Sequence, residues 1–146
     1  MSDPAWREEL RRRKALLVPR IEELGFPAKE VVLTLDEFFA GNEEASSIGV
    51  NLSSPPPPEE FHRVLKALID RGDAERILVR VNDIQDPADW FYSDAIHVIG
   101  TIGREALADA VAQLHPDEVY EGWMYGVPVN ADPVTEGLRV YTLWWD

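Results

Sequence analysis

The sequence predicts an α+β fold in which an antiparallel or mixed sheet of about five to six strands carries three helices, mainly on one face. Three observations lead there. Segments with helical and strand periodicity follow one another as α-β-β-α-β-β-α-β-β, and pairs of strands interrupted by single helices do not build a doubly wound parallel sheet. The 146 residues are 45% hydrophobic and 10% aromatic, enough to bury one sizeable core and too apolar for whole-chain disorder. No linker and no internal repeat divides the chain, so residues 1–146 read as one domain: a basic N-terminal helix over 1–25 joined to an acidic body over 26–146.

Each element has a local reason. Ser2 or Asp3 can cap a first helix with Pro4 at its first position. Trp6, Leu10, Leu17, Ile21 and Leu24 form one apolar stripe, Pro19 predicts a kink or break, and Gly25 and Pro27 close the segment. Val31–Leu35 is short and rich in β-branched residues, a strand. Asp36–Glu44, with Phe38 and Phe39, reads as a loop or single turn. Ser47–Leu52 alternates as a second strand, with Ile48, Val50 and Leu52 on one face. Pro55–Pro58 is a rigid extended connector into a second helix from Glu59. There Phe61, Val64, Leu65, Leu68 and Ile69 make an inward face, and Gly72 ends it.

Ile77–Val81 reads as a third strand, and Asn82–Asp89 as a polar turn before Trp90-Phe91-Tyr92. Ala95–Gly100 is a fourth strand with His97 and Ile99 opposite Ile96 and Val98. Glu105–Leu114 is a third helix, stopped by Pro116. Val119–Trp123 and Leu138–Trp145 complete the strands. In the last of these Trp144 and Trp145 point to opposite faces, so either both faces are covered or one indole is exposed.

Charge and composition narrow the function. The chain carries 14 Lys and Arg against 27 Asp and Glu, a net charge of −13. The excess is segregated: residues 1–20 hold six basic and three acidic side chains, whereas residues 21–146 hold eight and 24. Such a field suits a basic protein partner and disfavours the phosphate backbone of a nucleic acid. With no cysteine, thiol chemistry and Cys-ligated metal sites are excluded. The opening residues lack the pattern of a signal peptide and no apolar run approaches a membrane span, so the expected location is the cytoplasm, without membrane contact.

Catalytic constellations fail one by one. His62, His97 and His115 show no metal-ligand spacing, and no metal or cofactor is expected. Ser93, Asp94 and His97 have the residue types of a triad, but a regular strand directs residues 94 and 97 to opposite faces, leaving His97 a half-buried neighbour of the helices. Asn82, Asp83, Gln85, Asp86 and Asp89 are oxygen-rich but lack the spacing of a calcium loop. Phosphate-binding glycine loops are absent. A carboxylate pair drawn from Asp36, Glu37, Glu43, Glu44, Glu118 and Glu121 leaves a small hydrolase as the alternative. A further alternative is a self-associating structural protein, the basic helix of one copy meeting the acidic body of another.

Late aromatics beside acids are what an interface anchor looks like within a charged rim. Asp36, Glu37, Glu43, Glu44, Trp90 and Trp123 are therefore the expected partner contacts. Three stretches, Glu37-Phe38-Phe39-Ala40-Gly41-Asn42, Ser47-Ile48-Gly49-Val50-Asn51-Leu52 and Trp144-Trp145-Asp146, give the chain a resemblance to small acidic bacterial proteins that are similar to immunity proteins of polymorphic toxin systems. The resemblance implies a cytoplasmic α+β domain that neutralises a cognate toxin by binding it. It transfers no contact residue, and the basic first helix departs from a uniformly acidic binder.

Overall fold

A computed structural model describes residues 4–84 and 90–146. The caps expected from Ser2 and Asp3, and the residues 85–89 of the polar turn, lie outside the described residues. Helix α1 (Ala5–Glu23) begins after Pro4 and runs unbroken through Pro19, so the expected break does not occur. Pro19 sits on an exposed side of the helix, where the carbonyl it leaves unbonded can face water. Leu10 and Ile21 are buried, and Trp6, Leu17 and Leu24 pack partly against the core, as their stripe requires.

Five strands form one antiparallel sheet in the order β1-β2-β3-β5-β4. They are β1 (Val32–Thr34), β2 (Ala74–Arg80), β3 (Ala95–Gly100), β4 (Glu118–Glu121) and β5 (Arg139–Trp144). Helices α2 (Leu35–Phe39), α3 (Pro58–Asp70) and α4 (Arg104–Ala110) complete the domain with α1. The segment after β1, expected to be a loop or single turn, starts with a helix of little more than one turn. Thr34 and Glu37 form a reciprocal capping box, each side chain accepting from the other's backbone N–H, and this holds the short helix together.

The strand expected over Ser47–Leu52 is absent from the sheet. Its place is taken by a 3-10 turn (Ala45–Ser47) and a single bridge between Ile48 and Ser93. Gly49 explains the difference. Its φ of +66° breaks the extended chain, and a Cβ there would come within 3.3 Å of both Phe61 and Leu52. The residue permits a tight turn against α3, not a strand.

The two sheet faces are covered differently. Ile77, Val79, Ile96, Val98, Tyr141 and Leu143 meet the buried side chains of α3, including Phe61, Leu65 and Leu68, and those of α1, α2 and α4. Full burial of each such side chain contributes roughly 1.5–3 kcal/mol. The other face presents Val32, Leu78 and Ile99, which Trp123, Ala131, Val134 and Leu138 from the connection between β4 and β5 cover. This settles the adjacent tryptophans. Trp145 is 1% exposed, packs edge-on to Phe61 at 5.4 Å and donates its indole N–H to Leu114 O at 2.8 Å, while Trp144 on the opposite face stays half-buried.

Candidate functional site

Two polar assemblies stand out, one between α1 and α2 and one on the sheet face away from the helices. The first contains most of the expected partner contacts. Arg20 Nη2 bonds Glu37 Oε2 at 2.7 Å, and Arg7 Nη1 bonds Glu44 Oε2 at 3.0 Å. Glu37 therefore has its carboxyl held below the ordinary value: burial pushes the other way, but the bonds from Arg20 and Thr34 prevail. His62 Nε2 donates to Asp36 Oδ1 at 2.8 Å, although Asp36 itself remains largely in water. Glu43 is exposed.

Trp90 lies inside this assembly and not on its rim. It is 5% exposed, and its indole N–H donates to Phe38 O at 2.9 Å. The Arg13 guanidinium covers its ring at 5.1 Å and donates to Ala40 O and, at 2.7 Å, to Glu37 O. Arg13 thus closes the carbonyl end of α2, where a cation is favoured by the helix dipole. Lys14, one residue on, is buried with its ammonium 5.5 Å from the Phe91 ring. Only the position of this basic run opposite α2 reveals its docking role.

The second assembly gathers around Arg80 at the end of β2. Its guanidinium donates to both Glu30 oxygens at 2.6 and 3.2 Å, to Asn82 Oδ1 at 2.8 Å and to Asp94 Oδ1 at 2.9 Å. The Tyr125 ring lies 3.7 Å from the guanidinium carbon, and its hydroxyl donates to Asp94 Oδ2 at 2.7 Å. Burial first, and then the adjoining Asp94 carboxylate, push the Tyr125 hydroxyl up to about 12. Asp94 precedes β3 in a bend, so the alternation that separates it from His97 does not apply, and its carboxylate faces the same side as Arg80 and influences His97.

His97 departs from the expected half-buried place beside the helices. It is 1% exposed on the opposite face, with the Trp123 ring edge-on at 4.8 Å. The Thr142 hydroxyl lies 2.8 Å from His97 Nδ1 and 2.7 Å from Gly122 O, and it also receives the Met124 N–H at 3.3 Å. A carbonyl only accepts, so the single hydroxyl hydrogen points to Gly122, and Nδ1–H must be the donor to Thr142. Nε2 is then the bare nitrogen, buried without a hydrogen-bond partner. Burial, reinforced by the Arg80 charge and only partly offset by Asp94, lowers this imidazole to about 4, so it is neutral at pH 7.

The six expected contacts are consequently not one patch. Asp36, Glu37, Glu43 and Glu44 share the α2 side of the molecule, Trp90 is interior to that side, and Trp123 roofs His97 on the other face. Among the described residues no group of three or more His, Asp or Glu side chains is placed to hold a metal ion. Nor is any described helix long and apolar enough to cross a membrane.

Comparison with known proteins places the chain in a family whose description names no chemistry. The chain is 30% identical over 116 residues to the Uncharacterized protein YfbO of Escherichia coli (strain K12), a stretch covering 79% of this chain and 82% of that protein. No solved structure matches it. The family model described as the Uncharacterized protein YfbO family matches residues 11–143, from the basic stretch of α1 almost to the end of β5, and the chain belongs to that family.

Proposed function

We infer that this chain is a non-catalytic binding protein of the cytoplasm that engages a basic protein partner through its acidic surface, in the manner of an immunity protein neutralising a toxin. The observation that carries this reading is where the basic helix directs its charge. Arg7, Arg13 and Arg20 bond Glu44, the carbonyls of Glu37 and Ala40, and the Glu37 carboxylate of their own chain. The net charge of −13 is therefore presented outward by acids such as Asp36, Glu43, Glu59, Glu118 and Glu121. A surface of one sign accelerates encounter with a partner of the other. The same docking supports a one-chain role for the helix over the bridging of two copies. The toxin-neutralising part rests on the resemblance of the three stretches quoted above.

The test is capture from the native cytoplasm at low and high salt, followed by kinetics with the purified partner. One basic protein, released as salt rises, is the expected result. Reversing Asp36 and Glu43 together to lysine should slow association roughly tenfold at low salt and flatten its salt dependence. If the partner is a toxin, co-expression of this chain restores growth that the toxin alone arrests. A partner whose binding is indifferent to salt and to both reversals would remove the acidic α2 surface from the reading.

A further inference from the structure

The two edges of the sheet are finished differently. At the β1 edge the Asn130 side chain imitates a neighbouring strand: its Oδ1 accepts from Val32 N at 3.0 Å and its Nδ2 donates to Val32 O at 2.7 Å. Val129 N–H adds a bond to Glu30 O at 2.9 Å. Nothing comparable covers the β4 edge among the described residues. Gly122 N–H bonds Val140 O on β5, so by the two-residue alternation Tyr120 and Glu118 also face β5, and Val119 and Glu121 turn their N–H and C=O groups outward. Glu118, Tyr120 and Glu121 are exposed, with Tyr120 at 39%.

We propose that the open edge of β4 is the docking strand for an extended segment of the basic partner, which extends the sheet by main-chain hydrogen bonds to Val119 and Glu121. This rests on the binding function inferred above and locates it. Charge selects the occupant. A second copy of this chain, paired antiparallel through its own Val119 and Glu121, would set Glu121 opposite or diagonal to Asp117 or Glu121 of the other copy and is repelled. A segment with cationic side chains opposite Glu118 and Glu121 is attracted, even though the exposed Arg139 lies near enough to Glu121 to feel its charge. The spacing fixes the rest. Cations three residues apart flank an apolar residue opposite Val119 and a β-branched or aromatic one opposite Tyr120, so the antiparallel segment reads Arg-Thr-Val-Arg. These requirements differ from those of the α2 surface, where the acids lie on a helix and a loop and offer no free main-chain ladder.

Amide hydrogen exchange of the whole chain, titrated with a threonine-flanked Arg-Thr-Val-Arg peptide, tests this directly. Exchange at Val119 and Glu121 should slow at least tenfold at saturation, while Glu118 and Tyr120, already bonded to β5, stay unchanged. Glu121→Pro removes an outward N–H without touching a β5 bond and should abolish the protection with the fold intact. Glu121→Gln keeps the N–H and should weaken binding severalfold. Slowing elsewhere, slowing nowhere, or protection equal in Glu121→Pro would overturn the proposal. Protection that grows with protein concentration in the absence of peptide would assign the edge to a second copy and overturn it too. A partner that binds tightly to Glu121→Pro would dismiss the edge yet leave the binding function standing, whereas absence of any basic partner dismisses the function.

Discussion

Stability between pH 6.5 and 4.5 should be governed largely by one buried imidazole. His97 is neutral in the fold with its proton on Nδ1, and its surroundings lower it from the ordinary 6.5 to about 4. Above pH 6.5 the ring is neutral folded or unfolded, and it contributes no pH dependence. Below 6.5 the unfolded chain takes up a proton that the folded chain refuses, so the folded state loses stability as pH falls. The loss proceeds at roughly 1.4 kcal/mol per pH unit and levels off once the folded ring also protonates near pH 4, for a total of about 3 kcal/mol. Glu37, also lowered in the fold, has linkage of the same sign but acting at lower pH. Its lowered value stabilises the fold above its ordinary 4.5, and that contribution disappears only below this window.

Urea unfolding at a series of pH values from 7 to 4.5 measures this slope, and His97→Asn isolates it. Asparagine retains a donor toward Thr142 and cannot titrate. The variant should be less stable at pH 7 by roughly 1–3 kcal/mol, because Trp123 loses its neighbour. Its stability should then fall more slowly with acid, so that the two proteins converge by pH 4.5. Equal slopes in wild type and variant would refute the assignment. So would nitrogen NMR showing a His97 ring that titrates near 6.5 or carries its proton on Nε2.

Three other perturbations follow from the packing. Trp90→Phe leaves the Phe38 carbonyl without its indole donor and should cost about 1–3 kcal/mol, seen as a melting temperature several degrees lower. Asn130→Ala unpairs both Val32 backbone groups; beyond a loss of about 1–3 kcal/mol, it should open the β1 edge and produce concentration-dependent association in sedimentation. Gly100→Ala drives a Cβ against the Asp73 carbonyl oxygen and to within 2.6 Å of Ala74 Cα, both backbone, and should cost about 2–4 kcal/mol in denaturant unfolding.

The legible parts of the fold were those in which a period repeats. The face of α3 and the two sides of β3 follow directly from apolar spacing, because each repeats often enough for one register to win. The alternating Ser47–Leu52 misleads because Gly49 interrupts it, and an alternation of six residues cannot reveal a positive φ at its centre. Helix α2 is short enough to have no period at all. Its only sequence signal was the Thr34-Leu35-Asp36-Glu37 capping pattern, whose first two residues lie inside the apolar run read as a strand. The site was less legible still. Trp90 and Trp123 look alike as acid-flanked aromatics, but one is interior because Phe38 O and Arg13 meet it from segments far away in the chain, and the other covers a histidine across the sheet. Long-range partners of that kind leave no local trace.

Segregated charge along a chain invites the picture of a molecule with a positive arm and a negative body. The fold removes the arm. By bonding the carbonyl end of α2 and the flanking acids, the arginines of α1 become structural cement for the very segment whose acids looked most available. Their cost to the surface is asymmetric: Glu37 and Glu44 are partly withdrawn from solvent, whereas Asp36 and Glu43 beside them remain in it. The acids of β4 have no arginine lying across them from α1, and they flank the one edge whose main-chain groups remain unbonded among the described strands. A partner attracted by net charge alone would have many places to land. One that also carries an extended basic segment has, among the described strands, one place where charge and main-chain hydrogen bonding coincide, and that coincidence is what would convert a long-range field into a specific interface.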